Sequence, residues 1–280
     1  MNVLSLFDGI SCGQIAIERA GIKVDNYFAS EIKKYAIQAT MDNYPNTQRL
    51  GDVHNYKEWD LPKIDLLIGG SPCQDFSFLK TNGKGIHGEK SSLFFKFVES
   101  LHTFKPKYFL LENVRMKKDQ QDIISAILGI EPIAINSNLV TFQNRHRLYW
   151  TNIPRATQPE NENVSFQDYK ETDYKICKQY KVKRTPSRET MWGEGTNGKC
   201  PNITYRDKVN CLTVKQDRWS SAGLVEFEDF CRYLTVKECE LAQGVPVGYT
   251  SNLSRSQSYN VLGDGWTVDV IAHIFKGLKQ

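Results

Sequence analysis

Residues 64–74 read Ile-Asp-Leu-Leu-Ile-Gly-Gly-Ser-Pro-Cys-Gln, and this stretch indicates a buried strand followed by a reactive turn. Ile64–Ile68 has the length and apolar character of one buried strand. Cys73 comes directly after a proline, so we expect it on a stiff, exposed turn at the end of that strand. Such a turn suits a nucleophile, whereas a lone free cysteine is more often a small buried hydrophobe. The rest of the chain favours the nucleophile.

Short apolar strands and helical stretches alternate on both sides of this segment. The other strand-like stretches are Val3–Leu6, Tyr27–Ser30, Tyr108–Leu111 and Leu148–Trp150. Helical spacing connects Leu93, Phe94, Phe97, Val98 and Leu101, and it predicts one helix face formed by Ile123, Ile124, Ile127 and Leu128. This alternation is typical of βαβ units, so we predict an α/β fold with a mainly parallel sheet.

The composition of the chain changes near residues 154–163, which form a polar linker with two prolines. Beyond it the chain is basic and weakly periodic, and helical patterns return near Thr235–Gln243, where Thr235 and Glu238 fit a capping box. We therefore place a first domain at 1–155, completed by 257–280. A small, mostly β or irregular domain occupies 156–256.

Cysteine usage and charge limit the possible classes of protein. Seven cysteines without a CxxC pair argue against a zinc ribbon or a disulfide scaffold. They favour a reducing compartment such as the cytoplasm. The net charge is only +4, but segment 170–218 holds twelve Lys and Arg against six Asp and Glu. This local basic field suggests a polyanion as partner, although a solvated surface segment would have the same composition.

Polar or glycine-rich residues follow each predicted strand, where parallel sheets bind ligands. Phe7–Gly13 forms a first turn that lets backbone amides approach a ligand at a helix start. Glu31 is placed like an acid that binds ribose hydroxyls, and Asp52 could accept a hydrogen bond from an exocyclic amine. Each acid could instead cap a helix. Together they predict a cofactor that contains adenosine, and the absence of a P-loop argues against a triphosphate.

Two further segments carry candidate catalytic groups. Glu112 ends the apolar stretch Tyr108–Leu111, where a carboxylic acid can donate a proton, or can simply cap a helix. Arg145 and Arg147 alternate along an extended segment, so we expect both on one face. They could hold a polar ring or a phosphate, or could mark a surface strand edge.

Taken in chain order, these residues resemble those of the cytosine-5 DNA methyltransferases. The matching stretches are Phe7–Gly9, Glu31, Asp52, Ser71–Gln74, Phe76–Ser77, Glu112–Val114, Gln143–Arg147, and Arg232, Leu234, Thr235, Glu238 and Gln243. The match covers nearly the whole chain. Three features depart from the family pattern: Ser11 replaces a glycine, the closing stretch Gly263–Val268 resembles the eukaryotic de novo branch, and the middle domain is short.

The resemblance implies a Rossmann-like S-adenosylmethionine-dependent methyltransferase sheet with helices on both faces, plus a small target-recognition domain. It implies methyl transfer to carbon 5 of a cytosine flipped out of duplex DNA, through a covalent adduct on Cys73. The implied catalytic residues are Cys73, Glu112, Arg145 and Arg147. The implied S-adenosylmethionine-binding residues are Phe7, Asp8, Gly9, Ile10, Ser11, Glu31, Ile32, Asp52, Val53, Pro72 and Trp266. No metal is expected, and loop 76–92 is expected to close over the extruded base.

Three alternatives stay open at this point. The same chemistry occurs on cytosine in transfer RNA in one branch of the resembled family. A non-catalytic DNA-binding homologue would not need Cys73, Glu112 and the two arginines, all of which are present. A nicotinamide dehydrogenase would explain the sheet and Glu31 but neither Pro-Cys-Gln nor Glu-Asn-Val.

Overall fold

The structure, a computed structural model, describes residues 1–71, 92–182, 202–216, 222–227 and 229–279. The chain divides into two compact units. Unit 1 comprises Met1–Ile135, His146–Gln158 and Val270–Gln280, and unit 2 comprises Asn136–Arg145 and Pro159–Asp269. The sequence placed the boundaries at 155 and 257, and it did not foresee that residues 136–145 leave the first unit.

A seven-stranded sheet forms the centre of the α/β fold. Its strands are β1 (Asn2–Leu6), β2 (Asn26–Ser30), β3 (Gln48–Arg49), β4 (Leu66–Gly70), β5 (Tyr108–Val114), β6 (Ile133–Asn136) and β7 (His146–Thr151). The order across the sheet is β3-β2-β1-β4-β5-β7-β6. The strands from β3 to β5 pair in parallel, whereas β7 runs antiparallel to β5. The sheet is therefore mainly parallel, as the alternation of elements predicts.

The strand order reverses between β1 and β4, and this reversal indicates where a ligand crevice is expected. In open α/β sheets, ligands bind beyond the carboxyl ends of the strands at such a reversal. Here β1 ends at Leu6 and β4 ends at Gly70. The first turn and Ser71 therefore begin at neighbouring strand ends.

Among the described residues, four helices lie wholly within this unit: α1 (Cys12–Arg19), α2 (Lys34–Asn43), α3 (Ser92–Phe104) and α4 (Lys118–Leu128). The apolar face of α3 is buried in the core through Phe94, Phe97 and Val98. The expectation for α4 is wrong in part, because only Ile124 is fully buried, whereas Ile123 is 40% and Ile127 is 37% exposed. A helix turns 100° per residue, so a single face does not bury all four apolar positions.

In unit 2 the described elements are short. They are α5 (Tyr174–Gln179), the antiparallel pair β8 (Val225–Phe227) and β9 (Phe230–Arg232), α6 (Val236–Gln243) and α7 (Arg255–Asp264). The capping box is confirmed: the Thr235 hydroxyl accepts from Glu238 N, and Thr235 N donates to the Glu238 carboxylate at 2.7 Å. A last helix, α8 (Val268–Phe275), contains the boundary between the units. None of the helices in the described ranges combines the length and apolar character needed to cross a bilayer.

Candidate active site

The first turn forms a tight backbone cradle after β1. Phe7, Gly9 and Ser11 all have positive φ angles, of 58°, 60° and 56°. This conformation is natural for glycine and strained for the other two, and such strain is concentrated at functional sites. A Cβ atom placed on Gly9 would meet nothing within 4 Å, so the turn faces open space there. The backbone can therefore be approached closely by a ligand.

Asp8 lies inside this cradle and is partly buried. Its carboxylate accepts hydrogen bonds from the Tyr27 hydroxyl at 2.8 Å and from the Ser11 hydroxyl. Burial raises the pKa of Asp8 to about 6, with a smaller contribution from the charge of Glu31, and the hydrogen bonds only partly oppose this. Tyr27 was not among the predicted site residues, because its contact with Asp8 spans nineteen positions of the chain.

Glu31 joins the end of β2 to the first turn. One carboxylate oxygen accepts from Gly9 N at 2.9 Å, and the other accepts from Ile32 N and Lys33 N, both at 2.8 Å. The side chain of Ile32 is 68% exposed directly beside it. A partly buried acid close to an exposed apolar side chain suits a ligand with a polar and an aromatic part. Beneath the turn lies a small cavity whose lining includes Asp8, Gly9, Glu31 and Thr40.

Asp52 extends the same edge of the sheet. The Ser30 hydroxyl donates to Gly51 O at 2.8 Å, which ties this segment to the end of β2. The Asp52 carboxylate accepts from His54 N at 3.0 Å and contacts His54 Nδ1 at 2.7 Å. Both contacts lower the pKa of Asp52, and the hydrogen bond from the His54 backbone has the larger effect. The Asp52 side chain is 47% exposed, so it both caps the following helical turn and stays accessible to a ligand, whereas Val53 is buried.

Glu112 and Arg147 form an ion pair at the carboxyl end of β5. Arg147 Nε lies 2.9 Å from Glu112 Oε1, and the two side chains are 14% and 11% exposed. The β5–β7 register explains the pair: Glu112 lies opposite Tyr149 and Val114 opposite Arg147, so Glu112 and Arg147 are diagonal neighbours on one face. An antiparallel β7 is what brings the two together.

Asn113 connects this strand to the segment that carries the candidate nucleophile. Its side-chain amide donates to both the carbonyl and the hydroxyl oxygen of Ser71, each at 3.2 Å. Asn113 is fully buried, and Ser71 precedes Cys73 by two residues. Asn113 therefore anchors the residue that directly precedes the Pro-Cys-Gln motif. Asn113 is part of the Glu112–Val114 motif, but its role was not predicted from the sequence. A linear motif does not show which strand end a side chain contacts.

Arg145 is placed differently from Arg147. The strand begins at His146, so Arg145 precedes it and belongs to unit 2. Arg145 as a whole is 4% exposed. Its guanidinium donates to the carbonyl oxygens of Leu212, Gly263 and Gly265 at 3.1, 3.1 and 2.9 Å. The expectation that both arginines share one face of an extended segment is therefore wrong. These contacts tie together chain segments within unit 2.

The remaining predicted residues are distributed as follows. Ile10 is buried at the first turn, and Trp266 is partly buried in unit 2. Pro72, Cys73 and nearly all of loop 76–92 lie outside the described residues, as do parts of the basic segment 170–218. Across the described ranges, no group of three His, Cys, Asp or Glu side chains is suited to hold a metal ion.

The sequence matches a known family along its whole length. The family model described as C-5 cytosine-specific DNA methylase matches residues 1–193 and 131–280. The orphan methyltransferase M.SPRI of Bacillus phage SPR is 34% identical over 186 residues, which cover 62% of this chain and 42% of that protein. The Type II methyltransferase M.NgoBI of Neisseria gonorrhoeae is 27% identical over 298 residues, covering 96% and 90%. The match thus spans less than half of the phage relative and nearly all of the bacterial one.

Solved structures agree on the fold. A Spodoptera frugiperda DNMT2 mutant aligns with a TM-score of 0.77 at 17% identity, covering 100% of this chain and 99% of that one. The Entamoeba histolytica methyltransferase EhMeth aligns with a TM-score of 0.78, also at 17% identity and with the same coverage. The family model and these folds confirm the resemblance, and the chain belongs to the C-5 cytosine-specific DNA methylase family.

Proposed function

We propose that this protein transfers the methyl group of S-adenosylmethionine to carbon 5 of a cytosine in duplex DNA. One observation carries the proposal: Glu112 is held by Arg147, and its neighbour Asn113 anchors Ser71, two residues before Cys73. Ser71, which leads into the Pro-Cys-Gln motif, and the acid Glu112 thereby lie at adjacent ends of β4 and β5. Covalent catalysis on a pyrimidine ring needs this combination.

The first turn and its two acids fit S-adenosylmethionine. Gly9 and Gly51 both face open space, and each lies next to an accessible carboxylate, Glu31 or Asp52. In the proposal Glu31 accepts from the ribose hydroxyls, Asp52 accepts from the adenine amine, and Ile32 covers the ring. The first turn follows β1 at the strand-order reversal, which is where open α/β sheets bind ligands. S-adenosylmethionine, when bound, supplies an electrophilic methyl group.

The residues of the chain would activate the cytosine. The Cys73 thiolate adds to ring carbon 6, and the displaced electron pair collects at carbon 5. Glu112 donates a hydrogen bond or a proton to ring nitrogen 3, and Arg147 orients the Glu112 carboxyl and holds the cytosine carbonyl oxygen. After carbon 5 has been alkylated, a base or water removes its proton, and the thiolate leaves as the double bond reforms. General acid assistance of this kind contributes roughly 10²- to 10⁴-fold to a rate.

A stacked base cannot reach a thiolate on the protein, so the target cytosine has to be flipped out of the duplex. The basic segment 170–218 and the small domain are proposed to bind the duplex around it. Binding of this kind weakens steeply as salt increases, through the release of counterions.

The direct test is product analysis. The protein is incubated with labelled S-adenosylmethionine and either duplex DNA or transfer RNA, and the digested nucleosides are separated. We expect label in 5-methyldeoxycytidine, no transfer by Cys73→Ser, and unchanged S-adenosylmethionine binding by that variant. Label found only in RNA would move the activity to the alternative substrate, and substantial turnover by Cys73→Ser would overturn the nucleophile.

A further inference from the structure

The described part of unit 2 carries an aromatic cluster with two lysines above it. Tyr174 on α5 lies 6.1 Å from Phe227 and 5.9 Å from Phe230, measured between ring centroids, and the two phenylalanines are 5.5 Å apart. Lys178 Nζ lies 5.3 Å from the centroid of the Tyr174 ring, and Lys181 Nζ lies 5.6 Å from that of Phe230. Two ammonium groups are thereby held over neighbouring rings of one cluster.

The two positive charges on this cluster have no carboxylate partner among the residues that the structure describes. Within the described ranges, no Asp or Glu oxygen lies within 4.0 Å of the Lys178 or Lys181 ammonium group. The acids that flank them have other roles: Asp173 caps α5, and Glu171 pairs with Lys237. Both lysines are exposed, so their charges are available to a partner.

The sequence around the two lysines adds further positive charge. Between Asp173 and Glu189 the chain has six basic residues and no acidic one. The six are Lys175, Lys178, Lys181, Lys183, Arg184 and Arg188, of which the last three lie outside the described residues. Lys175 and Lys178 are one turn apart on α5, about 4.5 Å along the helix axis. Duplex DNA presents one phosphate per about 3.4 Å of axis on each strand, so neighbouring cations can bind neighbouring phosphates.

The backbone on which the lysines stand is firmly held. Val182 N donates to Cys231 O at 2.7 Å, and Tyr233 N donates to Tyr180 O at 3.1 Å, which fixes the end of α5 beside β9. Arg255 donates to Gln179 O at 2.7 Å and stacks over Tyr180, with its guanidinium carbon 5.2 Å from the ring centroid. Ring contacts and a fixed backbone reduce the freedom that each lysine loses on binding.

We propose that Lys178 and Lys181 bind the sugar-phosphate backbone of the DNA substrate, with the aromatic cluster as their support. This rests on the proposed function. Lysines that only cover an aromatic cluster would influence stability but not the salt dependence of DNA binding. The two roles can therefore be separated by experiment.

The experiment measures binding of a duplex of about 30 base pairs by fluorescence anisotropy at a series of KCl concentrations. The variants are Lys178→Gln/Lys181→Gln, the charge-retaining Lys178→Arg/Lys181→Arg, and the control Lys237→Gln, which removes a paired lysine of the same unit. Loss of two phosphate contacts flattens the slope of log K against log salt by about 1.8. We expect this in the glutamine double variant alone, with a raised KM for DNA and an unchanged kcat.

Thermal unfolding of each variant checks that the fold is intact. If the glutamine double variant unfolds, the two single variants serve instead, each with an expected change in slope of about 0.9. An unchanged slope in a folded variant, with DNA methylation by the parent protein intact, would overturn this inference and leave the proposed function standing. A parent protein that methylates only RNA would remove the proposed DNA substrate, and with it this inference. A flattened slope in Lys237→Gln as well would show that the effect is not specific to the cluster.

Discussion

At the scale of single residues, neighbouring arginines in one motif have different environments. Arg147 pairs with Glu112 near the strand ends, whereas Arg145 is buried against backbone carbonyls of unit 2. The motif Gln143–Arg147 therefore combines a candidate catalytic arginine with a structural one. Both were assigned to catalysis from the sequence, because residue type and spacing do not reveal what a side chain contacts.

This difference predicts opposite outcomes for two alanine substitutions. Arg145→Ala removes three buried hydrogen bonds from a charged donor to backbone carbonyl oxygens, so we expect a loss of unfolding free energy of about 3 kcal/mol or more. Arg147→Ala should cost less stability but lower kcat roughly 10²-fold or more. Urea unfolding and steady-state kinetics of the two proteins measure both effects. A stable, inactive Arg145→Ala protein would contradict the structural assignment.

Asp8 predicts a pH dependence of stability. Its pKa is raised from 3.8 to about 6, chiefly by burial, so the folded protein binds this proton more tightly than the unfolded chain. The stability from this residue is fully present below about pH 3.8 and is lost as pH rises through about 6. Relative to the wild type, Asp8→Asn should therefore gain stability between pH 4 and 7, by up to about 2 to 3 kcal/mol.

Urea unfolding of both proteins at several pH values tests this difference. The absolute stability of Asp8→Asn is not the readout, because the amide also changes the contacts with Tyr27 and Ser11. The readout is how the difference between the two proteins changes with pH. A difference that stays constant, or that shifts in favour of Asp8 as pH rises, would contradict the raised pKa.

At the scale of elements, local chemistry could be read from the sequence and long-range pairing could not. Five of the seven strands of the central sheet, the capping box at Thr235 and the polar strand ends follow from short patterns, whereas β3 and β6 were not predicted. The antiparallel pairing of β7 with β5, and the contacts of Arg145 with Gly263 and Gly265, join positions far apart in the chain. Burial across α4 was misjudged because Ile123 and Ile127 lie at the exposed edge of the apolar face that buries Ile124.

Asn113 provides a test at this scale, since it links β5 to Ser71, which directly precedes the Pro-Cys-Gln motif. Asn113→Ala removes both hydrogen bonds to Ser71 and leaves the first turn and its acids untouched. We expect kcat to fall by roughly tenfold or more, since a loosened nucleophile spends less time in a reactive geometry. The affinity for S-adenosylmethionine, measured by calorimetry, should stay within about twofold of the parent. A normal kcat would mean that Ser71 needs no such anchor.

At the scale of the whole molecule, the two compact units separate two tasks. Unit 1 contains the strand-order reversal, the first turn and the Glu112–Arg147 pair. Unit 2 contains the basic segment and the lysine-bearing aromatic cluster. Chemistry and substrate binding are thus proposed to be carried by different parts of one chain, which is why substitutions in the cluster should alter KM and leave kcat unchanged.

The central claim is that Cys73 attacks the flipped cytosine. A duplex containing 5-fluorocytosine at the target site tests it most directly. The last step removes the carbon 5 hydrogen as a proton, and a base cannot remove fluorine in this way, so the covalent intermediate is trapped. With S-adenosylmethionine present, we predict a covalent protein–DNA complex that withstands denaturation and maps by mass spectrometry to Cys73, and no complex with Cys73→Ser. Methylation of the normal duplex without any trapped complex on Cys73 would contradict the account.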